Sequence, residues 1–104
     1  MIVEERSYRI RGGMMGAYLR LVEDEGLAIQ QPILGDLVGY FVTDIGPLNQ
    51  VVHLWRYQDL EDRTQRRKRL ADDERWQAFT PRLSACIEQM DNRILIPTAF
   101  SPMK

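Results

Sequence analysis

The chain has 104 residues, 14 basic against 15 acidic side chains, a net charge of −1 and a single cysteine. That length describes one domain, 1–104, with a modest core, and it excludes an internal disulfide. The balanced charge gives no reason to expect nucleic acid or a charged membrane surface, and no apolar run approaches the ~20 residues of a membrane span.

The chain opens on strand-like residues without the apolar core of a signal peptide, so cytoplasmic residence is the expectation. Ile2–Ile10 alternates, with Ile2, Glu4, Arg6, Tyr8 and Ile10 on one face and Val3, Glu5, Ser7 and Arg9 on the other, which is the period of a strand. Gly12-Gly13 ends it. The pair reads as a strand-to-helix turn, since a phosphate cradle would need a fuller glycine fingerprint or a following Lys-Ser pair. Met14, Tyr18, Leu21 and Val22 then fall at helical spacing. Gly26 predicts the end of that helix or a bend, and Pro32 predicts the stop of a short further turn over 27–31. Met14 and Met15 read as core filling rather than metal ligands.

The central stretch is a hairpin. Residues 38–44 and 50–57 are rich in β-branched and aromatic side chains. Between them, Gly46-Pro47-Leu48-Asn49 is a turn signal. An even loop there places Tyr40 opposite Trp55, Phe41 opposite Leu54 and Val42 opposite His53. Leu37, Phe41, Ile45, Val52 and Leu54 then share one face, read as the aliphatic core face. Val38, Tyr40, Val42, Val51, His53, Trp55 and Tyr57 share the other, which is aromatic with polar tips. Neither face suits water. The aromatic face is expected to need a further layer, and a second copy of the chain is the simplest source.

Asp59 is a good N-cap for a helix beginning at Leu60. The run Arg63 to Arg69 holds five basic residues in seven. It reads as a solvated helix face, with an anion patch as the other reading. Asp72 or Asp73 caps a further helix, on which Trp76, Phe79, Leu83 and Ile87 form an apolar stripe. Pro81 is expected to kink or split it. Cys86 reads as a buried, inert thiol. The final strand is expected over 92–98, closed by Pro97, with Phe100 anchoring the tail.

This order predicts an α+β chain with the ferredoxin-like plan β-α-β-β-α-β. It has a four-stranded antiparallel sheet, the first and third strands central and helices on one face. Two such sheets would pack face to face.

The chemistry is sparse. One histidine and one cysteine supply no multi-ligand zinc site, and no serine sits in a nucleophile elbow. The carboxylate pairs Glu4-Glu5 and Asp72-Asp73 are adjacent in sequence, and on a strand such neighbours point to opposite faces. His53 is the sharpest candidate. It is able to act as a general base or to ligate haem iron or another metal; equally, it serves as a structural histidine bonded to a carbonyl. Arg6 is placed to bind a carboxylate ligand or to pair with Glu4 on its own face.

Two readings follow. In one, a homodimer holds a small apolar or aromatic molecule in a cleft between sheet and helices, or between two sheets, with oxidative chemistry in view. Tyr40, Trp55 and Tyr57 form the wall, His53 is the polar and candidate catalytic group, and Arg6 orients the ligand. In the other, the chain is a non-catalytic interaction module whose aromatic face is only the dimer interface. No cofactor or metal is evident, and the residues do not decide whether the chain is an enzyme.

Several segments carry a resemblance to a known family. They are Glu4, Arg6 and Tyr8 in the first strand; Glu23-Asp24-Glu25-Gly26-Leu27; Gly39-Tyr40-Phe41; Ile45-Gly46-Pro47-Leu48-Asn49-Gln50; His53-Leu54-Trp55; and Trp76-Gln77-Ala78-Phe79. Over nearly its whole length the chain resembles the NIPSNAP family. Gly12-Gly13 stands where a Pro-Gly is common, a departure confined to the turn. The resemblance implies the dimeric α/β-barrel fold, in which two ferredoxin-like units join sheet faces. The family's activity is poorly defined. Its animal members are linked to vesicle traffic and mitochondria, and the wider fold includes cofactor-free monooxygenases and haem-dependent enzymes. Haem therefore enters only by analogy of fold.

Overall fold

The alternating stretch Ile2–Ile10 forms strand β1 as expected, in a computed structural model that describes residues 1–104. Strands β2 (Asp36–Val42), β3 (Gln50–Tyr57) and β4 (Ile87–Leu95) join it in one antiparallel sheet. Their order is β2-β3-β1-β4, with β1 and β3 central. Helices α1 (Met15–Leu21), α2 (Leu27–Leu34), α3 (Leu60–Asp72) and α4 (Glu74–Ser84) complete the ferredoxin-like α+β fold. No helix is long and apolar enough to cross a membrane.

Three breaks predicted in the helices, at Gly26, Pro32 and Pro81, do not occur. A π-helical turn over Val22–Gly26 carries α1 directly into α2, and Gly26 keeps right-handed helical geometry. A Cβ at Gly26 would lie 3.2 Å from the Phe79 ring, so the glycine serves a close helix–helix approach. Pro32 sits inside α2, which ends two residues later at Leu34 and is capped by Gly35 with φ 91°. The buried Gln30 and Leu34 hold that last turn in place, and tertiary packing outweighs the missing N–H. Pro81 likewise lies within an unbroken α4, flanked by the buried Phe79 and Leu83. The caps are as expected: Asp59 accepts from the Asp62 amide at 2.7 Å, and Asp73 from the Arg75 and Trp76 amides at 2.9 and 3.2 Å.

β4 begins at Ile87 rather than at residue 92, and Ile87 belongs to the strand instead of the helix. The polar run Glu88, Gln89, Asp91, Asn92 suits an edge strand, whose residues after Ile87 are all exposed. Phe100 does not anchor the tail and is 88% exposed.

The hairpin has two corrections. Tyr40 pairs with His53, Phe41 with Val52 and Val42 with Val51, two residues away from the expected register. The connection is longer than foreseen, because positive φ values at Gly46 and Asn49 bend the chain outside the ladder. A shift of two residues preserves parity, so Tyr40, His53 and Trp55 still share a face. The larger correction concerns what covers that face. The helices lie on the aromatic face, burying Val51, His53, Trp55 and Tyr57. The face with Phe41, Val52 and Leu54 is the open one. Aromatic side chains carry the larger area and fill the space beneath the helices, while Ile45, assigned to the core, is 93% exposed. The aromatic face is therefore not a surface on which a second sheet docks.

Two apolar clusters lie between sheet and helices. One gathers Tyr8, Ile10, Tyr18, Val22, Val51, Phe79, Leu83, Cys86 and Ile87. The other gathers Ile2, Leu34, Trp55, Tyr57 and Leu70. The face positions separating them on β1 and β3 are Glu4, Arg6 and His53.

Candidate functional site

Alternation on β1 points Glu4, Arg6 and Tyr8 toward the helices. The sheet register sets Arg6 beside His53, Glu4 beside Trp55 and Tyr40 on the other flank of His53. From the opposite edge, Asn92 of β4 stands beside Arg6. A band of polar groups thus crosses the sheet under the helices.

Glu4 is its hub and is fully buried. One carboxylate oxygen, Oε2, accepts from Arg63 Nη2 at 2.7 Å, Asn92 Nδ2 at 2.8 Å and Arg6 Nη1 at 3.0 Å. Burial would raise its pKa, but the hydrogen bonds from Arg63 and Asn92 and the charges of Arg6 and Arg63 outweigh that and pull it to about 2. Arg6 also donates through Nε to the Tyr8 hydroxyl at 2.8 Å. The Tyr18 and Tyr40 hydroxyls hydrogen-bond to each other and tie α1 to β2.

His53 is 1% exposed. Its ring stacks on Tyr40 at 4.5 Å and meets Tyr8 edge-on at 4.9 Å. The indole N–H of Trp55 donates to Nδ1 at 2.8 Å, so the neutral ring carries its proton on Nε2. Burial first, then the charges of Arg6 and Arg67, press its pKa down to about 3. His53 is thus a neutral hydrogen-bond donor. A ring so enclosed does not fit haem ligation.

Four buried polar atoms have no partner: His53 Nε2, Tyr57 Oη, Glu4 Oε1 and Arg63 Nε. Arg67 approaches the Tyr57 hydroxyl without closing a hydrogen bond. Its own proton affinity is lowered by burial and by Arg6. In a protein core such atoms are rare, because each forfeits its hydration without replacement.

Of the five expected ligand-binding residues, Arg6, Tyr40, His53 and Trp55 converge. Tyr57 lies further along β3, two residues beyond Trp55, and joins the group through Arg67. Arg6 does pair with Glu4. The sequence reading had Glu4 only as a partner for Arg6; it missed Asn92, Arg63 and Arg67, having given the last two to a solvated helix face. A signal was available: Arg63, Arg67 and Leu70 follow i, i+4, i+7 on α3, and Leu70 is buried. That spacing places both arginines on the inward face.

The family model described as NIPSNAP matches residues 3–102. NipSnap homolog 2 of Mus musculus is 34% identical over 110 residues, covering 99% of this chain and 36% of that protein. The chain therefore spans about a third of that curated relative. A NIPSNAP family protein from Agrobacterium tumefaciens is 67% identical in its crystal structure, with a TM-score of 0.98 over 99% of this chain and 98% of that one. An antibiotic biosynthesis monooxygenase shares the fold alone, with a TM-score of 0.64 and 17% identity over 97% of this chain and 100% of that one.

Proposed function

The chain belongs to the NIPSNAP family, and on that premise we propose that it binds a small molecule with an aromatic or apolar body in the cleft between sheet and helices. The walls are Tyr40, Trp55 and Tyr57; Arg6 and His53 supply polar recognition. The observation that carries this reading is that unpartnered buried polar atoms, His53 Nε2, Tyr57 Oη and Glu4 Oε1, share the helix-covered face of the sheet. Binding by hydrogen-bond donation suits His53 better than proton abstraction. Its pKa lies near 3 and its Nδ1 is already engaged.

The test is equilibrium dialysis of the protein against a bacterial metabolite extract, with retained molecules read by mass spectrometry. Wild type should enrich a small-molecule class that His53→Ala loses by roughly tenfold, as expected for a donor left out of a buried contact. Far-UV circular dichroism should show both proteins equally folded. Equal retention by the two, or no retention by wild type, sinks the reading.

The same proposal includes a homodimer built through the open sheet face. Phe41 is 55% exposed there, beside Val52 and Leu54, and the Glu5–Arg93 ion pair at 2.8 Å borders them. An antiparallel sheet covered on one side presents such a surface to a second copy.

A further inference from the structure

We propose that the ligand of this cleft is a carboxylate and that Arg67 is its principal anchor. The inference rests on the small-molecule reading above and names the class of molecule.

His53 Nε2–H and Arg63 Nε–H are buried donors without partners, the Tyr57 hydroxyl is a buried group able to donate or accept, and Glu4 Oε1 is a buried acceptor left over. Arg67 makes no hydrogen bond or ion pair, whereas Arg6, Arg63 and Asn92 converge on Glu4 Oε2. The cluster is short of acceptors. A ligand that only accepts restores the balance; a ligand that brings further donors worsens it.

Arg6, Arg63 and Arg67 stand against one carboxylate, Glu4, which leaves two positive charges uncompensated in a poorly solvated place. Arg6 and Arg63 both spend part of their guanidinium on Glu4. Arg67 forms no ion pair and feels the Glu4 charge only at a distance. One free guanidinium edge matches one planar carboxylate in a two-bond pairing.

Arg67 lies one helical turn beyond Arg63 on α3 and reaches toward Tyr57. The cluster meets solvent along β4, where Asn92 and Met90 are exposed. A molecule arriving from that side would set its carboxylate on Arg67 and turn its body toward the stacked rings of His53 and Tyr40.

His53 is the only histidine, so its ring resonances report on this cleft without overlap. The experiment titrates benzoate, benzamide and inorganic phosphate at constant ionic strength into wild type, Arg67→Gln and Arg69→Gln, following the His53 ring signals by NMR. Benzoate should shift them in wild type and in Arg69→Gln, an exposed change of equal charge. Its apparent affinity should fall roughly tenfold or more in Arg67→Gln, the loss expected for one charge-assisted bond. Benzamide and phosphate should be weaker than benzoate by a similar factor. If Arg67→Gln fails to fold, Arg67→Lys takes its place. It keeps the charge without the planar edge, and a several-fold loss is expected. Benzamide binding as well as benzoate overturns the carboxylate assignment and leaves the small-molecule cleft standing. Phosphate binding as well as benzoate does the same. An unchanged benzoate response in the Arg67 variant removes Arg67 as the anchor. No response to any of the three overturns both the assignment and the cleft.

Discussion

Burial and the nearby guanidinium groups of Arg6 and Arg67 keep the His53 imidazole neutral in the folded chain. An unfolded chain at mildly acid pH takes up a proton there that the folded chain refuses. Between about pH 6.5 and 3 the unfolded state therefore binds more protons at this site, and stability rises with pH across that window. A fall from pH 6.5 to 5 should cost about 2 kcal/mol from this residue alone, at about 1.4 kcal/mol per pH unit. Denaturant melts at the two pH values measure it directly. His53→Gln keeps a side-chain acceptor for the Trp55 indole and removes the titration, so its stability should be nearly flat over the same interval. An unchanged slope in that variant would assign the pH dependence elsewhere. Glu4 adds a separate loss lower down. Its folded pKa near 2 lies below the ordinary 4.5, so its ion pairs stabilise fully above that ordinary value and fade as the pH falls toward 2.

Among the elements, Gly35 governs where the long helix ends. Its φ of 91° favours glycine, and an added Cβ would lie 3.0 Å from Arg66 Nη1. Gly35→Ala should destabilise by about 1 kcal/mol or more, read as a lower denaturation midpoint with an unchanged m-value. The sequence signals that worked were local ones. β1 and β3 were legible to the residue because their alternation is unbroken, and Asp59 and Asp73 were legible as caps because capping chemistry spans only three residues. Pro32 and Pro81 misled because propensity is weak against buried neighbours such as Leu34 and Phe79. β4 was read too late because its apolar signal, Ile94-Leu95, sits at its far end. The inward arginines of α3 were hidden for another reason. A charge run looks solvated unless its spacing is set against a buried residue, here Leu70. The target of Arg63, Glu4, lies 59 residues away, beyond the reach of any local pattern.

On the scale of the whole molecule, the four strands and their helices form two layers, and the sheet keeps one face open. Leu54 lies on that face in the central strand β3, clear of the buried cluster. Leu54→Asp should convert a dimer at micromolar concentration to a monomer in size-exclusion chromatography with light scattering, while circular dichroism stays unchanged. A dimer that survives the change would place the interface elsewhere. The sheet order has a further consequence, in time rather than space. β1 is made first, yet its two neighbours are residues 50–57 and 87–95. During synthesis at about 5–20 residues per second, the first strand waits several seconds with both edges bare. Arg63 and Asn92 reach Glu4 only after most of the chain has been made. The emerging domain is thus most exposed to wrong pairing at β1, the earliest of its four strands to be made. Alternating charges at Glu4, Glu5, Arg6 and Arg9 on β1 act there as gatekeepers against pairing with other nascent chains before they serve the finished protein.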